Sequence, residues 1–271
     1  MLIDSLHRRV DALADWPLIG RLAQRQARDE FLANRDRNLF FGVYSTFEEA
    51  SRAAVACGTA GYDNEASARL YSARTRIDAH DYPALVWLMR SLHEGWRSVF
   101  DVGGATGIKF MAFREPMQSF SDLRWQVQDV PAMVARGRAE AVARDDNLRL
   151  RFTDRFADGD GHDLLYASGV LQYLPATLAE LLAPWQRLPR RIVINTAAVH
   201  PQFEFFTVNS LGTAFCPYRV QTQASLIRGL TGLGYRVREA WTNPGKAMAI
   251  PFHPEYSLDH YCGYCLDLQP G

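Results

Sequence analysis

Residues 98–109 read Ser98-Val99-Phe100-Asp101-Val102-Gly103-Gly104-Ala105-Thr106-Gly107-Ile108-Lys109: an apolar run carrying an acid, a glycine turn and the start of a helix. Val99, Phe100 and Val102 suit a buried parallel strand. Gly103 and Gly104 permit backbone angles, and a closeness of ligand approach, that a Cβ blocks. The helix that follows offers free N–H groups at the positive end of its dipole. A turn of this kind at the carboxyl end of a sheet binds nucleotide-like ligands. Its G-G-x-x-G spacing, closed by Gly107, is not the dinucleotide fingerprint G-x-G-x-x-G. The competing reading is a strand-to-helix turn that serves packing alone.

Further acids follow at the spacing of strand ends. Asp129 lies 28 residues after Asp101, one strand–helix–strand unit, and closes the run Trp125-Gln126-Val127-Gln128-Asp129 before Val130-Pro131. A carboxylate beside the glycine turn accepts hydrogen bonds from both hydroxyls of a ribose. Thr153-Asp154-Arg155-Phe156 follows a third strand, where Asp154 reaches toward an adenine amino group, and Asp163–Ser168 forms a fourth. Any single strand-end Asp also serves as an ordinary helix cap. The force of the pattern lies in its order, one signal per strand end.

These residues need a sheet to hold them. From residue 97 the chain alternates strand and helix patterns, which predicts a parallel sheet with helices on both faces, a Rossmann-like α/β fold. Strands are expected near 97–102, 123–129, 148–153, 163–168, 190–196, 235–241 and 259–267. Helices are expected near 107–117, 131–143, 174–183 and 219–232. The seven strands form a mostly parallel sheet whose last two run antiparallel around a long loop. Residues 1–95 read as helical, without strand alternation. Leu2, Leu6, Val10 and Leu13 recur as one helix face, and Trp16-Pro17 breaks that helix. Ser45 with Glu48 starts another helix, and Asp81-Tyr82-Pro83 opens one whose buried side is Leu85, Leu88, Met89 and Leu92. This divides the chain into a helical part, 1–95, that covers the site or forms a homodimer, and a ligand-binding domain, 96–271.

The composition is that of a soluble globular protein: 271 residues, 48% hydrophobic, with 30 basic and 30 acidic side chains and zero net charge. It lacks the basic excess that a nucleic-acid partner asks for. Four cysteines are too few and too scattered for a disulfide framework, which points to a reducing cytoplasm. Cys262-Gly263-Tyr264-Cys265 has no second pair of ligands, so it reads as plain strand and no metal site is expected. No apolar run approaches the roughly 18 residues of a membrane helix, so integral membrane association is not expected.

The motif Asp-Val-Gly-Gly-x-Thr-Gly, with Asp129-Val130-Pro131 and Thr153-Asp154-Arg155-Phe156, resembles the S-adenosylmethionine (SAM)-dependent O-methyltransferases of the caffeate and acetylserotonin type over about residues 97–200. Over its whole length the chain resembles a bacterial family of SAM-dependent methyltransferases without a settled substrate. The stretches that carry this are Phe40-Phe41-Gly42-Val43-Tyr44, Gly61-Tyr62-Asp63, Asp81-Tyr82-Pro83 and Ser168-Gly169-Val170-Leu171-Gln172-Tyr173-Leu174. The resemblance implies that Asp101, Gly103, Gly104, Gly107, Asp129, Val130, Asp154, Arg155, Phe156 and Ser168 line a SAM site. It also implies methyl transfer to an oxygen or nitrogen of a small-molecule or saccharide-type acceptor. In the caffeate-type enzymes a histidine base follows the fourth strand; its position here is Gln172, which cannot titrate. His200, just past the fifth strand, is the first alternative for a base and Glu204 the second, while Gln172 is left to orient the acceptor. Phe203–Asn209 offers aromatic walls for an acceptor pocket, or a plain hydrophobic plug. A SAM-binding scaffold without transferase activity is the alternative to an enzyme.

Overall fold

The computed structural model describes residues 17–72, 75–144, 146 and 149–270. The expected face of Leu2, Leu6, Val10 and Leu13, with Trp16, lies outside these residues. The chain begins with α1 (Pro17–Ala33), β1 (Leu39–Tyr44), α2 (Phe47–Cys57) and α3 (Glu65–Ser72). A short 3₁₀ turn at Ala79–Asp81 leads into α4 (Tyr82–His93). There follow β2 (Ser98–Val102), α5 (Ile108–Ala112), β3 (Arg124–Gln128), α6 (Pro131–Ala143), β4 (Leu150–Thr153), β5 (Leu164–Ser168) and α7 (Leu178–Leu182). The last part contains β6 (Arg191–Ala197), β7 (Val199–His200), β8 (Phe205–Ser210), β9 (Phe215–Thr222), α8 (Gln223–Gly232), β10 (Tyr235–Asn243) and β11 (Tyr261–Leu268).

All seven expected strands form one sheet, in the order β10-β11-β6-β5-β2-β3-β4, and β11 alone runs against the others. The central strands β2 and β6 are buried along their whole length, as their apolar runs require. Leu88, Phe110, Phe113 and Val134 cover one face over Trp125, Tyr166 and Val193. Leu178, Leu182, Leu226 and Leu230 cover the other, over Phe100, Leu165, Ile192 and Ile194. The strand order reverses between β2 and β5, which makes their carboxyl ends the topological switch point of the sheet.

The reading of residues 1–95 as purely helical is corrected by β1, a run of aromatic and β-branched residues around Gly42. It pairs antiparallel with β8, Leu39 facing Ser210. With β9 and β7 these strands build a second, four-stranded sheet. Phe203–Asn209 is accordingly largely strand from Phe205 on, and residues 215–222 form its partner. The helix expected from 219 therefore starts at Gln223, capped by Thr222, whose side chain accepts from the Ser225 N–H. The stretch 107–117 yields only the five residues of α5. Residues 174–183 split because Pro175 excludes helical geometry before it; Thr177 caps the short α7 instead. The cap of α2 is Thr46 with Glu49, one residue beyond the expected Ser45 and Glu48, because Thr46 is the residue with extended backbone.

Candidate functional site

The glycine turn leaves β2 at the switch point. Gly103 has φ +64°, and a Cβ there would overlap Val170 Cγ2; one on Gly104 would overlap the Asp101 carboxylate. Both glycines are thus demanded by the turn itself. Asp101 is buried on β2, and its Oδ2 accepts from Trp125 Nε1 at 3.0 Å. Burial pushes this carboxyl up to about 7; the Asp129 charge adds to that, while the Trp125 hydrogen bond and the Lys109 charge pull against it.

Asp129 follows the last residue of β3 and meets the turn from the side. It is only 2% exposed. Its Oδ2 accepts the Ala105 N–H at 2.7 Å, and its Oδ1 accepts the Val130 N–H at 2.7 Å and the Tyr62 hydroxyl at 3.0 Å. Ala105 holds φ +52°, a left-handed conformation that points its N–H at the carboxylate. Burial raises the Asp129 carboxyl to about 6, against the lowering effect of the three hydrogen bonds. The structure therefore brings Asp101, Gly103, Gly104, Asp129 and Val130 together, with Gly107 at the start of α5 in the left-handed region, φ +86°.

The outer members of the expected set are more dispersed. Asp154 and Arg155 are exposed past the end of β4. Phe156 packs against Phe100 and Trp185, with ring centroids 5.8 and 5.0 Å away, in the core on the far face of the sheet. Ser168 ends β5, with its Oγ 3.5 Å from Thr196 Oγ1. Gln172 is buried, its Nε2 donating to the Thr196 carbonyl at 3.4 Å. It lines a small cavity with Ala198, Arg219 and Gln221.

His200 does lie beside the carboxyl end of β6, but both ring nitrogens are engaged. Nδ1 accepts the N–H groups of Gln202 and Phe203 at 3.0 and 2.8 Å, which fixes the proton on Nε2, and Nε2 donates to the Glu255 carbonyl at 2.9 Å. This histidine holds a loop in place. Glu204 is exposed and accepts from Thr222 Oγ1 at 2.8 Å, at the start of α8.

A polar cluster that the sequence reading left unassigned stands over the same sheet edge. Asp81, fully buried, receives Lys109 Nζ at 2.6 Å from the beginning of α5. Asn195 at the end of β6 and Asn243 at the end of β10 both donate to the His80 carbonyl, at 3.1 and 3.2 Å. The His80 ring lies 3.7 Å from Asp78 Oδ2 and 3.8 Å from Asp81 Oδ1. Burial and the Lys246 charge lower its pKa, and Lys109 adds to this, while Asp81 and Asp78 pull the other way. The net lowering leaves a neutral imidazole at pH 7. The only sequence signal for this cluster was the Asp81-Tyr82-Pro83 helix start.

No protein-family model and no curated protein matches the chain. Solved structures of similar fold include an O-methyltransferase from neocarzinostatin biosynthesis, in complex with S-adenosylhomocysteine and 1,4-dihydroxy-2-naphthoic acid (15% identity, TM-score 0.43, 65% of this chain and 50% of that one). A second is magnesium protoporphyrin IX methyltransferase from Synechocystis PCC 6803 with bound S-adenosylhomocysteine (13% identity, TM-score 0.47, 69% and 81%). A third is a SAM-dependent methyltransferase from Geobacter sulfurreducens, also with S-adenosylhomocysteine (16% identity, TM-score 0.42, 68% and 90%). The matched part spans half the length of the first of these proteins. At these values the likeness is one of fold. Among the described residues no helix is long and apolar enough to cross a membrane.

Proposed function

We propose that the chain is a SAM-dependent methyltransferase acting on an oxygen or nitrogen of a small-molecule or saccharide-type acceptor. One observation carries this: a buried carboxylate, Asp129, held against a glycine turn at the switch point of a seven-stranded sheet. The donor set fits the cofactor. A carboxylate fixed by backbone N–H groups retains accepting capacity for ribose hydroxyls, and the tight turn that Gly103 and Gly104 allow brings its backbone beside that carboxylate.

When bound, the cofactor supplies an activated methyl group. Asp129 would accept the ribose hydroxyls, and the backbone of Gly103–Gly107 would hold the amino-acid part. Lys109, oriented by Asp81, sets a positive charge close to the turn. The acceptor-side proton is taken by His80, whose ring is neutral and whose backbone is pinned by Asn195 and Asn243. We prefer it to His200, both of whose nitrogens are engaged, and to Glu204, which is exposed beside Thr222. Gln172, buried behind Thr196, orients without titrating.

Calorimetry with SAM, S-adenosylhomocysteine and NAD tests the reading. Heat from the first two and none from NAD is expected. Asp129→Asn should weaken S-adenosylhomocysteine by about 1–3 kcal/mol, the scale of charge-assisted hydrogen bonds. Tight NAD binding without any SAM heat would overturn it.

A further inference from the structure

The carboxylate assigned above to the ribose already has a hydroxyl on it. Asp129 is held by three donors, two of them backbone N–H groups of the turn and of the next helix, which cannot leave without unravelling both. The third is the phenolic hydroxyl of Tyr62, 3.0 Å from Oδ1 and carried by a segment 67 residues upstream. That segment closes the site. Ala68 of α3 is buried against Ala105 in the turn and Met133 of α6, and Tyr62 packs beside them with Ile108 and Val130.

Besides the buried Ser67 and Ala68, and the Gly61 N–H that donates to the Phe215 carbonyl at 2.9 Å, the segment is held by polar ties at its rim. Asp63 Oδ1 accepts the Ala132 N–H in the first turn of α6 at 2.8 Å, and Glu65 meets Arg136 at 3.3 Å, both at exposed positions. Ser67 Oγ shares a 2.9 Å hydrogen bond with Thr213 Oγ1. At its start, Gly61 has φ +74° with open space where a Cβ would stand, which suits a pivot. Exposed pairs of this kind add little to closure, whereas the Tyr62–Asp129 bond ends on a buried carboxylate.

We propose that Tyr62 stands in for a ribose hydroxyl and competes with it, so that residues Gly61–Ser72 form a lid which the cofactor displaces from Asp129 on binding. The inference rests on the cofactor reading above. Its signature is inverted relative to an ordinary binding residue, because the apparent affinity of a lidded site is the intrinsic affinity reduced by the open fraction. Removing the tyrosine hydroxyl should therefore tighten binding.

The test is titration of wild type, Tyr62→Phe and Asp63→Ala with S-adenosylhomocysteine, with amide hydrogen exchange followed over residues 62–70. Tyr62→Phe is expected to bind roughly ten- to a hundredfold tighter, the effect of weakening closure by one hydrogen bond to a charged group. Asp63→Ala should shift the same way by a smaller factor. Saturating ligand should accelerate exchange in 62–70 of the wild type. Equal or weaker binding by Tyr62→Phe would show that the hydroxyl stays on the bound site, and would overturn the lid, as would ligand-induced protection of 62–70. Failure of the cofactor reading looks different: then none of the three proteins gives heat with S-adenosylhomocysteine.

Discussion

Asp101→Asn should make the protein more stable, and increasingly so as the pH rises. The native carboxyl titrates at about 7 because it is buried, whereas its ordinary value is 3.8. Between those two values the folded protein keeps a proton that the unfolded chain has released. Stability therefore falls with rising pH through that window, by about 1.4 kcal/mol per pH unit for this one group. Three units amount to about 4 kcal/mol; relaxation around the charge trims the figure, so a difference of about 2–4 kcal/mol at pH 8 is expected. Asparagine keeps a side-chain oxygen to accept from Trp125 Nε1, where Asp101 Oδ2 now does so at 3.0 Å, and it carries no charge at any pH. Urea unfolding of both proteins from pH 4 to 8 measures the effect, and the difference between the two curves cancels the titrating groups that do not interact with Asp101, leaving Asp101 with the response of Asp129 and Lys109. The curves should converge near pH 4 and diverge above it, reaching roughly 5–10 °C in Tm by pH 8 for a chain of this size. Parallel curves across the window, or a less stable variant at pH 8, would refute the reasoning.

The two histidines should separate cleanly. His80→Asn is expected to abolish the acidic limb of the pH–rate curve, where rate falls as protonation silences the base, and to slow turnover by about 10²–10⁴-fold, measured by methyl transfer from labelled SAM to an acceptor found in cell extract. His200→Ala should leave that profile in place and lower stability by about 1–3 kcal/mol in urea titrations, since it strands the N–H groups of Gln202 and Phe203 and the Glu255 carbonyl. Residues 96–271 expressed alone should be insoluble or unfolded, because they lose β1 from the edge of β8 and the buried Leu85, Leu88 and Leu92 of α4 from one sheet face. A soluble fragment that binds S-adenosylhomocysteine with full affinity would count against that.

What the sequence reveals about this site is what is local. The glycines of the turn announce themselves by their spacing right after an apolar run; the Asp101 carboxylate that forbids a Cβ on Gly104 is local, whereas the Val170 that forbids one on Gly103 comes from beyond β5. Asp129 is found by counting, since one strand–helix–strand unit has a nearly fixed length. The seven main strands are legible for the same reason, each being a short apolar run bounded by turn residues. The Asp81–Lys109 pair and the asparagines that pin His80 are invisible to that reading. Their meaning comes from Asn195 and Asn243, more than 100 residues downstream, brought in by the strand order. Tyr62 is hidden likewise, as nothing near it in the sequence signals a carboxylate 67 residues away. His200 shows the converse failure. Its position beside the sheet edge is correct, and its chemistry is decided by a tight turn and a distant carbonyl that the pattern does not contain.

The pairing of β1 with β8 also sets an order of events in biogenesis. Leu39 and Phe40 find their partners in Ser210 and Asn209, so the first strand emerges from the ribosome some 170 residues before its mate. Until then its backbone donors and acceptors and its aromatic side chains stay unpaired, an aggregation-prone edge during synthesis. Within the large sheet, β2, β3, β4 and β5 are near one another in the chain and can pair early, whereas β11 joins β6 only when the end of the chain has been made. The β1–β8 pairing must follow, because joining contacts so far apart carries the larger loop-closure entropy, while β8 and β9 pair locally as a hairpin. Pairing of β1 with β8 thus comes late, after most of the chain has been made.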